Sequence, residues 1–207
     1  VPKFHHYHPN IAVISGIGWD HVNVFRTFES YLEQFRIFVK TIEPGGCLIY
    51  DETDREAEKI AQNANCQTFG YGEHPFKSEG VETTLLLPDG GKSEVGVFGS
   101  HNMKNINAAR LVCRQLGVAD TDFYQAIRTF KGASRRLELL FNHEGNFVFR
   151  DFAHAPSKVN ASVKALREQF PEKHLIAVFE LHTYSSLSES FIDHYQNALH
   201  LADEAIV

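Results

Sequence analysis

The chain has 207 residues, of which 43% are hydrophobic and 22% charged, enough apolar material for one large domain or two modest ones. Its net charge of −6 carries no footprint for a nucleic-acid backbone, and no Lys/Arg run marks a membrane surface. No apolar stretch approaches the roughly 20 residues that span a bilayer, and the N-terminus lacks a signal-peptide core. Cys47, Cys66 and Cys113 are scattered without C-x-x-C spacing, so they read as small core residues in a reducing cytoplasm.

Ile11 to Ile14 is a short continuous apolar run and predicts a buried parallel strand. A loop through Gly16, Gly18, Trp19, Asp20 and His21 follows. From Thr27, apolar residues at Phe28, Tyr31, Leu32, Phe35, Val39 and Ile42 fall at helical steps, and Gly45-Gly46 ends that helix. Cys47 to Tyr50 reads as the next strand, Asp54 to Ala64 as a helix and Gln67 to Tyr71 as a third strand. Val81 to Leu87 and Ser93 to Phe98 flank Pro88-Asp89-Gly90-Gly91, a hairpin by turn chemistry. Asn102 to Leu116 and Asp122 to Phe130 form a helix pair joined at Gly117. Leu137 to Phe141 and Phe147 to Phe152 make a second hairpin around His143-Glu144-Gly145-Asn146. A helix over Ser157 to Phe170, a strand over His174 to Leu181, a helix over Ser188 to Ala202 and a strand over Glu204 to Val207 complete the reading. Strands alternating with helices argue an α/β chain with a parallel sheet in each half, divided near Lys131 to Arg136. Both termini are abrupt and read as cut from a longer protein.

Gly91-Lys92-Ser93 has the ending of a phosphate loop, but that motif requires Gly where Leu86 stands and a helix where Ser93 opens a strand. It reads as a turn. His5, His6 and His8 lack nearby residues to complete a metal-ligand set. Asp20-His21 sits where a buried strand gives way to a loop, the place where open α/β sheets hold ligands. The imidazole can take a divalent cation while Asp20 orients its other nitrogen, or it is an ordinary loop histidine. Asn102 and Asn105 lie one turn apart on one helix face, suited to a purine edge, although capping by Asn102 explains the first as well. Arg135-Arg136 lies at the predicted junction, where a guanidinium can reach a phosphate. Asp151 to Pro156 closes a strand just before a helix N-terminus, a second crevice suited to anions.

Taken together these segments resemble the Mur ligase family over nearly the whole chain. The resemblance is carried, in family order, by Ile17-Gly18-Trp19-Asp20-His21 and by Gly99 to Asn105 with Ala108-Ala109. Phe130-Lys131-Gly132 with Arg136 and Glu138, and then Asp151 to Pro156, complete it. It implies the C-terminal part of a central ATP-binding domain over residues 1–134, then the first part of a Rossmann-like C-terminal domain over 135–207. The implied activity is ATP-dependent ligation of a carboxylate to an amine through an acyl phosphate, with ATP and Mg2+, in the cytoplasm.

Residue by residue, the resemblance implies that His21 ligates magnesium and that Asn102 and Asn105 read the adenine. Arg136 would reach the ATP phosphates, Asp151 hold the ribose, and His154 contact nucleotide or phosphate. His182, Thr183, Tyr184, Ser185 and Ser186 would face the incoming amine. Lys3 to Pro9, Phe25 after Asp20-His21, and Arg135 to Leu139 resemble the members that join the murein tripeptide L-alanyl-γ-D-glutamyl-meso-diaminopimelate to UDP-N-acetylmuramate in peptidoglycan recycling. Members that add L-alanine are the alternative. A nucleotide-binding homologue without catalysis, and a folate-directed glutamate ligase, are further readings; the Lys3 to Pro9 and Arg135 to Leu139 segments argue against the latter. The chain departs from the family at Gly16, where Asn is frequent, and at His182-Thr183, which lacks an arginine common in relatives. The family's glycine-rich phosphate loop, its other magnesium ligand and its UDP-binding domain have no counterpart here, so the 207 residues alone are expected to be inactive.

Overall fold

A computed structural model describes residues 2–80 and 82–207. The chain forms two compact units, one running up to His74 with Met103–Phe123, the other Pro75–Asn102 with Tyr124–Val207. The first unit is built on a parallel sheet in the order β1 (Ile11–Ile14), β2 (Cys47–Asp51), β3 (Gln67–Tyr71). Helices α1 (Phe28–Lys40) and α2 (Arg55–Gln62) are the crossovers, as the expected alternation requires. Thr27 starts α1 with a capping box closed by Ser30, and the Asp54 carboxylate starts α2 by accepting from the Glu56 and Ala57 N–H groups at 3.0 Å each. Leu32 and Val39 of α1, Leu48 of β2 and Ala57, Ile60 and Ala61 of α2 bury one another, which is why both helices lie on the sheet.

Before β1 the chain makes a 3-10 turn over Lys3–His6. Phe4 packs on Phe35 and Phe38, and the His5 ring donates from Nε2 to the Gln34 carbonyl at 2.9 Å. Among the described residues no group of three or more His, Cys, Asp or Glu side chains is placed to hold a metal ion.

The second unit contains an antiparallel meander of β4 (Phe76–Glu79), β5 (Glu82–Leu86) and β6 (Lys92–Val95). The turn at Gly90-Gly91 joins β5 to β6: Gly90 has φ +82° and the Asp89 carboxylate accepts from the Gly91 N–H. Gly91-Lys92-Ser93 therefore belongs to a hairpin, as read from the sequence. The strand expected from Val81 starts at Glu82 among the described residues, Val81 lying outside them; the strand expected to reach Phe98 ends at Val95, and β4 is an additional strand.

Helices α3 (Ser100–Gln115) and α4 (Asp120–Ile127) each run from one unit into the other. The hairpin of β7 (Glu138–His143) and β8 (Asn146–Arg150) turns at Glu144 and Gly145, both at positive φ as a primed turn needs. Helix α5 (Pro156–Gln169) begins on its proline. Phe98, Leu137 and Ala165 form the nearby core with Phe149 and Leu166, and Phe147 stacks on Phe170. A parallel pair, β9 (Ile176–Val178) and β10 (Glu204–Ile206), closes the chain.

Two expectations are corrected here. The strand predicted over His174 to Leu181 is confined to Ile176–Val178. The helix predicted over Ser188 to Ala202 is instead a succession of turns with one 3-10 segment, Ile192–Tyr195, held by i→i−3 bonds such as His194 N–H to Phe191 and Ala198 N–H to Tyr195. The apolar spacing Phe191, Ile192, Tyr195, Ala198 suits three-residue turns as well as an α-helix. Asn197, at φ +66°, takes the left-handed conformation that interrupts a helix.

Candidate functional site

The sequence-nominated residues fall into two groups, one in each unit. In the first unit, His21 follows the end of β1. Its backbone is left-handed (φ +55°), its N–H donates to Asp20 Oδ1 at 2.7 Å, and its carbonyl accepts from Val24 and Phe25. The ring is exposed and its Nε2 lies 4.0 Å from Asp20 Oδ2, beyond hydrogen-bond range. Asp20 is buried and holds the main chain of His21. Asp54 fixes the same loop by accepting from the Ile17 N–H at 2.6 Å. For magnesium, the described residues supply a single exposed imidazole and no closed ligand set.

Asn105 projects from α3 into solvent. Asn102, in the second unit, is not an N-cap: it lies inside α3, and its Nδ2 donates back to the Phe98 carbonyl at 2.8 Å. Before α3 the chain turns at Gly99 with φ +87°, and a Cβ there would stand 2.5 Å from the Ala165 methyl, so only glycine fits.

The rest of the second-unit group is tighter. Arg136 lies between Arg135 (φ +57°) and Leu137 (φ +47°), two left-handed non-glycine residues in a row of three. Such conformations cost about 1–3 kcal/mol each and persist only where surrounding bonds impose them. Here the bonds are visible. The Arg135 N–H donates to Glu138 Oε2 and its carbonyl accepts from Phe152, while the Leu137 N–H donates to Asp151 Oδ2 at 2.7 Å. The other Asp151 oxygen accepts from the Ala153 N–H at 2.6 Å, leaving each carboxylate oxygen one further lone-pair direction. The Arg150 guanidinium and the Arg135 N–H hold the Glu138 carboxyl below its ordinary range.

The Arg136 guanidinium lies 5.8 Å over the Phe152 ring, a cation–π contact. His154 and His182 flank the same ring at 5.3 and 6.5 Å and stand 6.4 Å from each other. Each histidine donates from Nδ1 to a carbonyl two residues back, Phe152 and Glu180 respectively, which directs Nε2 away from that bond. A cavity of about 460 Å³ is lined by Arg135, Asp151, Phe152, Val159, Phe179 and His182 among others. His101, which the sequence presented only as a neighbour of Asn102, belongs here too. Burial pushes its pKa down, opposed by the Asp151 carboxylate and reinforced by Arg136, so the neutral ring is favoured.

The loop after β9 is only partly open. Ser186 Oγ accepts from the Thr183 N–H at 3.0 Å and donates to the Thr183 carbonyl at 2.9 Å, and Ser185 and Ser186 are buried. Of the five residues expected to face an amine, His182 and Tyr184 are the exposed ones.

A parallel α/β unit with loops at its strand ends, joined to a second unit that gathers Arg, Asp and His at a strand-to-helix turn, defines a class of α/β proteins equipped to hold an anionic ligand. The sequence profile described as the Mur ligase middle domain matches residues 3–113, and the chain belongs to the Mur ligase family. The UDP-N-acetylmuramate–L-alanine ligase of Saccharopolyspora erythraea is 32% identical over 215 residues, covering 96% of this chain and 44% of that protein. Two solved structures share the fold. The MurF ligase of Thermotoga maritima in complex with ADP has a TM-score of 0.74 at 21% identity, over 95% of this chain and 48% of that one. The murein peptide ligase of Psychrobacter arcticus has a TM-score of 0.62 at 21% identity, over 98% of this chain and 44% of that one. The chain spans about half the length of the curated relatives it matches. Among the described residues no helix is long and apolar enough to cross a membrane.

Proposed function

We propose that the complete protein carrying this chain is an ATP-dependent ligase that joins the carboxylate of UDP-N-acetylmuramate to an amine. The carboxylate attacks the γ-phosphate of ATP, releasing ADP and leaving an acyl phosphate. The amine then attacks the acyl carbon, and inorganic phosphate departs. The observation that carries this reading is Arg136, held between two left-handed residues and lying over the Phe152 ring that His154 also flanks, with His101 sensing the charges of both Arg136 and Asp151. A permanently charged fork on a backbone fixed in this way suits phosphate oxygens whose charge redistributes during transfer. In the same reading Asp151 offers its remaining lone pairs to the ribose, His154 meets nucleotide or phosphate, and Asn102 and Asn105 read the adenine. His21 contributes one ligand to a magnesium ion that would lessen repulsion between anionic reactants. Residues 1–134 are proposed as central-domain and 135–207 as C-terminal-domain material.

For the amine, the tripeptide L-alanyl-γ-D-glutamyl-meso-diaminopimelate is proposed first, on the Lys3 to Pro9 and Arg135 to Leu139 segments. L-Alanine is the second reading, favoured by the curated relatives and by the Ser186 turn, which withdraws two of the polar groups that would welcome a long acceptor. A competition assay on the complete protein with UDP-N-acetylmuramate and ATP separates them. The tripeptide is expected to win by at least about tenfold in kcat/KM, or ~1.4 kcal/mol. Preference for free L-alanine moves the assignment to the second reading.

The phosphate role of Arg136 has its own test. Arg136→Ala should lower kcat by roughly 100-fold, in the range of a lost transition-state donor. A change confined to KM would refute that role. The isolated 207-residue chain should release no phosphate from ATP, since Gly91-Lys92-Ser93 is a hairpin and no phosphate loop stands among these residues. Substrate-dependent phosphate release by that chain would contradict the assignment of the phosphate loop to another part of the protein.

A further inference from the structure

Helix α3 carries polar contacts on the face opposite its nominated asparagines. Lys104 Nζ pairs with Asp51 Oδ2 at 3.0 Å and also bonds Thr53 Oγ1. Asp51 is the last residue of β2 and is buried; its Oδ1 accepts from the Thr53 N–H at 2.9 Å and the Thr53 hydroxyl at 2.7 Å. One turn along, Asn107 Nδ2 donates to the Gly72 carbonyl, just past β3, at 3.1 Å. Asn107 Oδ1 accepts from the Arg110 guanidinium, which also pairs with Asp120. Lys104 and Asn107 thus tie α3 to the carboxyl ends of two neighbouring parallel strands.

At about 100° per residue, the Lys104/Asn107 face and the Asn102/Asn105 face lie roughly 160° apart around the helix. Apolar burial of Met103, Ile106 and Ala108 holds α3 against its unit, but that attraction has no direction. The ion pair and the amide bond are directional, so they fix rotation about the helix axis. A 20° rotation would swing a side chain near the outer radius of the helix by roughly 2 Å, enough to lose a hydrogen bond.

We propose that Lys104, with Asp51 and Asn107, is a positioning device that sets the direction in which Asn105 is presented to the purine of the nucleotide. The inference rests on the reading of Asn105 as an adenine contact. Lys104 acts through Asn105 and itself touches no ligand. Its effect should be felt in nucleotide binding rather than in the chemical step.

The test uses the complete protein and measures KM for ATP, kcat and Tm together. The double variant K104M/D51N removes both charges without stranding either, and Asn at 51 retains an acceptor for Thr53. It should raise KM for ATP about fivefold with kcat within about twofold, the pattern of lost uniform binding. K104R should restore KM. N105A should give a similar KM rise, and adding N105A to the double variant should raise KM no further, because both act through one contact. A folded double variant with unchanged KM, alongside a raised KM for N105A, overturns the inference and leaves the adenine reading intact. An unchanged KM for N105A itself overturns the adenine reading, and the positioning role with it. If the double variant does not fold, N107A takes its place: a KM rise of about threefold or more with kcat held supports the device, and an unchanged KM overturns it.

Discussion

Two parallel sheets of this chain are composed of the same apolar residue types and buried to very different degrees. In β1–β2–β3, Leu48 and Ile49 are completely buried, because α1 and α2 cover one face and Tyr71 and Ala108 join Ile49 on the other. In β9–β10, Ile176, Val178 and Ile206 remain 52%, 77% and 55% exposed. A run such as Leu-Ile-Ala-Val announces a strand that suits burial, but it does not name the element that buries it. In the first unit, one face of β2 is covered by helices that flank the strand in sequence, α1 and α2, while the other is completed by Ala108 of the distant α3. For β9, the tract over Ser188 to Ala202 folds as turns rather than a helix and contributes only local contacts, such as Tyr195 stacked on Phe179.

The sharpest way to test this contrast is to cut equivalent side chains on the two sheets. Ile49→Ala, in a fully packed site, should cost about 2–5 kcal/mol of unfolding free energy by chemical denaturation. A loss below about 1 kcal/mol would mean that the β2 core collapses around the gap as freely as an exposed strand does.

The next effect belongs to the first sheet alone. The Tyr71 hydroxyl is buried with no hydrogen-bond partner among the described residues, and its pKa is pushed up to about 12, first by burial and then by Asp51 and Asp54. The folded value lies above the ordinary value near 10, so the fold favours the neutral phenol. That stability is fully present below about pH 10 and is lost as pH rises through about 12, roughly 2–3 kcal/mol in all. Tyr71→Phe should remove this alkaline loss and be neutral or stabilising at pH 7, since it deletes an unsatisfied group. Denaturation midpoints between pH 9 and 12 that fall equally in both proteins would refute it. The smallest effect is expected on the second sheet: in the isolated 207-residue chain, Val178→Ala should change stability by no more than about 0.5 kcal/mol, as at other exposed positions. A large loss there would show that β9 is packed in solution.

The same contrast explains what could be read in advance. β1, β2, β3, α1 and α2 were legible because periodicity, caps and turns agreed over short distances. β4 was not: Phe76-Lys77-Ser78-Glu79 is polar, and it is a strand because β5 pairs with it in register. The tract from Ser188 has the pattern of a helix without being one, because three-residue turns share the spacing of an α-helix. At the site, His21, Asn105, Arg136, Asp151 and His154 could be nominated through family motifs. The placement of His101 beside Asp151 and Arg136, and of Lys104 on Asp51, depends on contacts between residues far apart in the chain, 53 residues for Lys104 and Asp51, that no local pattern reports.

The left-handed pair around Arg136 also bears on how the protein would respond to directed evolution. Leu137 is buried and its N–H is bound to Asp151, so exchanging it sacrifices packing. Arg135 is exposed, and glycine would adopt its φ of +57° without the steric penalty of a Cβ, a relief of about 1 kcal/mol. A library selected only for heat resistance should therefore accumulate glycine at 135. Selection for turnover should resist that change if the stiffness of this segment is what keeps Arg136 aimed, because a glycine hinge loosens the backbone that presents it. Sequencing the survivors of the two selections side by side would show whether the local strain is a tolerated accident or a feature retained for work.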